Sequence, residues 1–190
     1  LQEKGVEADD VIASITKQIK INNTKTIISS GDKDLAQLVG DNVVLINNFD
    51  SKVLDYNGVV EKFGVKPSQI FDYLCLVGDT SDNIPGVPKV GPKTAATLLG
   101  RYESLDNIIA NSGELKGKLR ENIESSSATI NLAKKLVALK EDLKLDIKSD
   151  ELCNYHPNEK NLRTIIDKYE LKALSEKLNI KSKKKIIKKD

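Results

Sequence analysis

The stretch Gly78-Asp79-Thr80-Ser81-Asp82-Asn83-Ile84-Pro85-Gly86-Val87-Pro88-Lys89-Val90-Gly91-Pro92-Lys93-Thr94 decides how this chain is read. Asp79 and Asp82 are three residues apart, so in a helical turn both carboxylates face the same way. A Gly/Pro-punctuated hairpin follows and opens onto a helix, with Pro92 in the tolerated first position. Gly86 and Gly91 leave room for backbone N–H groups to approach a phosphate without a Cβ in the way. Val87 and Lys89 belong to the same hairpin, and Lys93 and Thr94 add a cation and a hydroxyl at the helix start. Contacts of this kind carry no base information. A helix–helix loop with glycine caps, and turn chemistry in Gly-Asp-Thr-Ser-Asp-Asn, are the competing readings of the same residues.

Two further acidic clusters lie upstream: Glu7, Asp9 and Asp10 at a helix start, and Asp32 and Asp34 around Lys33 just after a β-branched run. On a helix, Glu7 and Asp10 share a face while Asp9 points elsewhere. Helix capping accounts for each cluster taken singly. Seven carboxylates without His or Cys are a hard-cation donor set, suited to Mg²⁺ or Mn²⁺. If the fold gathers them, like charges at such range repel unless a cation is shared. Two ions roughly 3.5–4 Å apart fit: one activates a water, the other stabilises the leaving oxygen. The single histidine, His156, sits beside Pro157 and reads as a surface residue.

The chain has 190 residues, 39% hydrophobic and 31% charged, which fits a globular domain plus a smaller appendage. No apolar run approaches the ~18 residues of a membrane span. No signal peptide is evident, and two distant cysteines, Cys75 and Cys153, read as reduced thiols in a cytoplasmic protein. The opening Leu-Gln-Glu-Lys, without Met, reads as an internal or C-terminal piece of a longer protein. The formal net charge of +2 hides an uneven distribution. Residues 181–190 carry six Lys and one Asp, and outside the seven clustered carboxylates the remaining body holds 24 basic against 20 acidic residues. A mildly basic body around an acidic pocket suits a protein that holds phosphates and metals, and equally an ordinary solvated surface.

Periodicity predicts a helix over 8–21, a strand over 24–30, a helix over 32–39, and strands at 43–46 and 52–55 around a turn at 47–51. That order is α/β with a partly parallel sheet, and it puts Asp32 and Asp34 at the C-terminal end of a strand, where ligands gather. Beyond residue 57 only helices are predicted: 67–77, 92–99 with Gly100 as a stop, 103–111, 116–139 and 161–178, then a basic tail.

With these clusters and this hairpin in this order, the chain resembles the 5′ nuclease domain of bacterial DNA polymerase I, of the flap-endonuclease superfamily. The matching stretches are Val6–Ala13, Ser30–Val39 and Leu76–Pro88 through Lys93-Thr94-Ala95, and the likeness runs over about 1–178. The resemblance implies a PIN-like α/β nuclease core over 1–65, a helical region with a helix-hairpin-helix (H3TH) element over 66–178, and a basic tail or linker at 179–190. It implies two-metal cleavage of 5′ flaps and 5′→3′ removal of nucleotides, as in RNA-primer removal and excision repair. It places Glu7, Asp9, Asp10 and Asp32 nearest one metal, and Asp34, Asp79 and Asp82 nearest the other. Catalysis would fall to Asp32, Asp34, Asp79 and Asp82, and DNA binding to Gly86, Val87, Lys89, Gly91, Lys93 and Thr94, with K⁺ held by hairpin carbonyls. The implied partner is duplex DNA with a 5′ flap or nick, bound by a monomer in the bacterial cytoplasm at the nucleoid, either as a standalone nuclease homologue or as a domain cut at a linker from an attached polymerase domain. The family's first strand with its essential Asp, and its basic arch, have no counterpart in this sequence, and Lys89 and Pro92 stand where Gly and Glu are common. The alternative reading is a non-catalytic duplex-binding module. A missing strand beside 24–30 would leave an exposed edge, so the fragment alone is expected to be unstable.

Overall fold

The computed structural model describes residues 3–20, 25–147, 152 and 158–180. It divides into two compact units between Asp146 and Ile147. The first opens with helix α1, Ala8–Lys20, whose first turn carries Asp9 and Asp10 and whose Val11, Ala13 and Ile19 are buried. Strand β1, Thr26–Ser29, pairs in parallel with β2, Val43–Ile46, in the register Thr26↔Val43 through Ser29↔Ile46. Strand β3, Val53–Leu54, returns antiparallel, with Leu45↔Leu54. Among the described residues β1 has a partner on one side only, and its Ile27 is 64% exposed. The predicted helix at 32–39 is a shorter 3₁₀ turn, Asp34–Leu38.

Helices α2 (Tyr56–Phe63), α3 (Ile70–Val77), α4 (Pro92–Tyr102), α5 (Leu105–Ala110), α6 (Gly117–Ser125) and α7 (Ser127–Val137) follow. One apolar core runs from Ile28, Leu35 and Leu45 of the sheet layer through Ile70, Leu74 and Leu76 of α3 to Leu99, Ile108 and Ile130. The buried Gln69 and the half-buried Asp72 tie the helices to one another through backbone groups. Gln69 Nε2 donates to the carbonyls of Leu99 and Glu103, and Asp72 Oδ2 accepts the Leu105 N–H.

The predicted stop at Gly100 is overturned. The α4 helix runs through it to Tyr102 and ends at Glu103, whose φ of 67° leaves the helical region. Tyr102 and Leu99 are buried, and that packing outweighs the weak helix propensity of one glycine. The predicted 116–139 helix is two, α6 and α7, meeting at Ser126, and 138–147 lies outside any helix or strand. In the second unit the predicted 161–178 helix is also two, α8 (Glu159–Tyr169) and α9 (Lys172–Lys177), broken at Glu170 with φ 51°. Of its predicted apolar face Ile166 is buried, while Ile165 and Tyr169 are exposed. His156, Cys153 and the 181–190 tail lie outside the described residues. Cys75 is a free, fully buried cysteine whose thiol burial pushes up to about 12, with the nearby Asp72 charge adding to it. No helix of the described residues is long and apolar enough to cross a membrane.

The loop between α3 and α4 is drawn tight by two glycines. Gly78 takes φ 74°, and a Cβ there would meet the backbone nitrogen of Gly86; a Cβ at Gly86 would meet the Val77 carbonyl oxygen. Replacing Gly86 by Ala therefore forces backbone apart, and Gly86→Ala is expected to destabilise the protein by roughly 2–4 kcal/mol, read as a lower urea midpoint. Gly100 faces open space inside a helix. Gly100→Ala is expected to raise stability by about 0.5–1 kcal/mol in the same measurement.

Candidate metal centre and nucleic-acid interface

Three chain segments meet at the C-terminal edge of β1. The start of α1 brings Glu7 and Asp9, the turn after β1 brings Asp32 and Asp34, and the loop after α3 brings Asp79 and Asp82. An open groove of about 470 Å³ is lined by Glu7, Asp9, Asp32, Asp34 and Asp82, with Leu136 to Leu139 among its other walls. One carboxylate oxygen from each of Asp34, Asp79 and Asp82 lies within 4.8 Å of the others. Asp34 Oδ1 is buried and has no hydrogen-bond partner, the mark of an acceptor that awaits a cation. Burial, with the Asp32 and Asp79 charges, pushes the Asp34 carboxyl up to about 6. Asp9 is also raised, first by burial and then by Asp32 and Glu7. An all-oxygen donor set with an orphaned buried oxygen fits a hard divalent cation.

Local structure accounts for these positions as well. Asp32 Oδ1 accepts the Asp34 N–H at 2.9 Å, so Asp32 shapes the turn that it also lines. Asp79 Oδ1 accepts the Ser81 N–H at 2.9 Å and its hydroxyl at 2.5 Å, and the Asp79 and Ile84 backbones pair as an isolated bridge. Asp79 and Asp82 thus share a bridged turn rather than the helical turn the spacing predicts. Turn chemistry does not use these carboxylates up, because each retains a lone pair beyond the bonds it accepts.

Two features were not legible in the sequence. Lys33 Nζ lies 2.6 Å from Asp79 Oδ2. Burial alone would raise the Asp79 pKa, but the Lys33 and Ser81 hydrogen bonds and the Lys33 charge overcome it and hold the carboxyl down to about 2. Lys33 stood in the quoted motif, and only the fold reveals which acid it meets. The second is Asp10. Contrary to the helical-face expectation, Glu7 and Asp9 both line the groove, whereas Asp10 is buried with the Lys140 N–H on its Oδ1 at 2.9 Å and Lys140 Nζ 3.3 Å from its Oδ2. That engages Asp10 with Lys140, which follows the groove-lining Leu139.

The hairpin also needs two corrections. The missing Cβ of Gly86 makes room for Val77, not for a phosphate. Val87 is buried, and its N–H is spent on the Leu76 carbonyl at 2.8 Å. The tip is held by the Val90 N–H on Val87 and by Asn122 Nδ2 on the Pro88 carbonyl at 2.7 Å. Lys89, at φ 64°, and Lys93 are exposed, Thr94 is half-buried, and Gly91 faces open space at the α4 N-terminus. First-turn amides of a helix have no intrahelical acceptor, so this end of α4 remains free to meet an anion.

Comparison with known proteins identifies the family. The family model described as the 5'-3' exonuclease N-terminal resolvase-like domain matches residues 1–64, and that of the 5'-3' exonuclease C-terminal SAM fold matches 65–161. A 5'-3' exonuclease of Aquifex aeolicus (strain VF5) is 40% identical over 174 residues, 92% of this chain and 59% of the relative. A DNA polymerase I of Caldicellulosiruptor bescii is 38% identical over 186 residues, 95% of this chain and 22% of that protein. Among solved structures, a bacteriophage T5 5'-exonuclease with divalent zinc bound matches with TM-score 0.67 at 26% identity, over 74% of this chain and 52% of that one. A bacteriophage T5 flap endonuclease in a pseudo-enzyme-product complex with DNA and metal ions gives TM-score 0.68 over the same shares. The chain spans little more than half of the exonuclease relative and about a fifth of the polymerase. A resolvase-like α/β part followed by a SAM-like helical part, both matched in sequence, makes this chain a member of the 5'-3' exonuclease family.

Proposed function

We propose that this chain carries the metal centre and duplex-gripping region of a structure-specific 5′ nuclease that hydrolyses DNA phosphodiester bonds at 5′ flaps and 5′ ends. The observation that carries the reading is the partnerless buried Oδ1 of Asp34 among the Asp34, Asp79 and Asp82 carboxylates. These three residues would hold one ion, and Glu7, Asp9 and Asp32 line the groove where a second would bind. Bound divalent ions, Mg²⁺ with Mn²⁺ as a substitute, supply Lewis acidity toward water and the phosphoryl oxygens. The carboxylates' own work would be to fix the ion positions.

The helical region supplies the grip. Gly91, Lys93 and Thr94 at the α4 N-terminus, with Lys89 beside them, suit a duplex phosphate, and K⁺ on hairpin carbonyls suits the same backbone contact. In this reading residues 1–65 act as the nuclease core and 66–178 as the DNA-binding region, with 179–190 as a basic tail. The substrate is duplex DNA with a flap or nick, met in the bacterial cytoplasm at the nucleoid by a monomer with a polymerase domain attached. Primer removal and excision repair are the tasks this chemistry fits.

Three outcomes are expected for the full protein that carries this chain. Asp82 is exposed, so Asp82→Ala should leave the fold intact and lower flap cleavage at least roughly a hundredfold while sparing flap binding. Unchanged cleavage would remove Asp82 from the metal centre. Lys93→Ala should weaken binding to unrelated duplexes alike and lower the salt slope by about 1, in fluorescence titrations across salt concentrations. Because Asp34 takes up its proton near pH 6 when no cation is present, a divalent ion must displace that proton. Mn²⁺ affinity measured by calorimetry should therefore fall as pH drops through about 6, and a flat profile from pH 7.5 to 5 would contradict the assignment.

A further inference from the structure

Residues 138–145 leave α7 outside any helix or strand, yet helix α1 satisfies the backbones of Lys140 and Leu143 as a neighbouring strand would. The Lys140 N–H donates to Asp10 Oδ1 at 2.9 Å, and the Lys140 carbonyl accepts from Ser14 Oγ at 3.0 Å. The Leu143 N–H donates to the same Ser14 Oγ at 3.2 Å, and the Leu143 carbonyl accepts from Gln18 Nε2 at 3.2 Å. Asp10, Ser14 and Gln18 are each four residues apart and so form one row along the helix. Lys17 and Glu141 close a flanking ion pair at 3.2 Å, and Gln37 Nε2 donates to the Val137 carbonyl. Ser14 is wholly buried and its hydroxyl both donates and accepts, so removing it would orphan two backbone groups at once.

We propose that 138–145 is a positioning strap for the metal groove, and that Asp10 is a positioning residue for the strap rather than a metal ligand. The inference rests on reading the groove as a metal centre. Its geometry is direct. Glu7 and Asp9 stand at the N-terminal end of the helix that clamps the strap. The residues entering the strap, Leu136 to Leu139, are the groove's apolar wall. The α7 helix, from which the strap emerges, packs on α3, whose C-terminal end runs into Gly78 and Asp79. The strap therefore ties the part that carries Glu7 and Asp9 to the part that carries Asp79 and Asp82. Without it each carboxylate group would survive, but the spacing between the groups would not be held.

Hydrogen exchange of the 138–145 amides, and Mn²⁺ calorimetry without DNA, test this on the full protein. In the parent protein the Lys140 and Leu143 amides should be protected. Asp10→Ala and Ser14→Ala should each speed their exchange roughly tenfold, one hydrogen bond's worth, and weaken Mn²⁺ binding several-fold without changing the number of ions bound. Asp10→Asn keeps an acceptor for the Lys140 N–H and should retain both the protection and the ion count. Gln18→Ala, at the half-buried end of the row, releases the Leu143 carbonyl while leaving its N–H on Ser14, and by loosening the strap end it should speed Leu143 exchange by a smaller factor even if a variant at the buried positions fails to fold. The proposal is overturned if Asp10→Asn loses an ion as Asp10→Ala does while Ser14→Ala leaves exchange and binding unchanged; Asp10 is then a ligand and the strap is idle. Unprotected strap amides in the parent would overturn it too. A parent that binds no Mn²⁺ would instead sink the metal reading, and the exchange data would still decide whether the strap is clamped.

Discussion

Backbone lies against backbone where Gly86 meets Val77 and Gly78, with no room for a side chain on either side. That contact closes the 79–84 turn through the paired Asp79 and Ile84 backbones and brings the Val87 N–H onto Leu76. Upstream of the knot, the turn aims Asp79 and Asp82 at Asp34. Downstream, the buried Val87 and Val90 anchor the hairpin that presents Lys89, Gly91 and Lys93. The acidic centre and the basic helix start thus share one mechanical origin. A shift in the knot moves both, so the distance between the α4 N-terminus and the carboxylates is built into the loop rather than adjusted by it.

The sheet contributes differently. A parallel pair needs a crossover, and here the short 3₁₀ turn after β1 begins it, so Asp32 and Asp34 emerge at the edge where the chain leaves the sheet. Leu35 and Ala36, wholly buried, pin that turn to the core. Rigid apolar anchors beside each acidic cluster explain how carboxylates that repel one another can be held within 4.8 Å.

Much of this was legible in the sequence. Apolar spacing found α1, the strands and most of the helices, and three acidic clusters with one hairpin located the groove. What it missed follows from causes that a linear pattern does not encode. Gly100 reads as a stop, but Leu99 and Tyr102 keep the helix going by burial. Gly86 reads as a phosphate contact because a glycine's need for space does not say what fills the space. Asp10 stands in the sequence only among its acidic neighbours, while its hydrogen-bond partner, the Lys140 amide, lies 130 residues away. Helix-face reasoning placed Asp9 apart, yet Glu7 precedes the first helical residue, where the helical repeat no longer governs direction.

The Lys33–Asp79 ion pair gives the acidic centre an internal counterion. A carboxylate as enclosed as Asp79 would resist burial if it had to wait for a metal, and its loop would then form only in the loaded protein. With an ammonium from its own chain already 2.6 Å away, the loop can settle first and take up metal afterwards. In the proposed reading, the formation of this loop would then not depend on the supply of divalent ions: a scarcity of metal would empty the centre without undoing the turn that builds it.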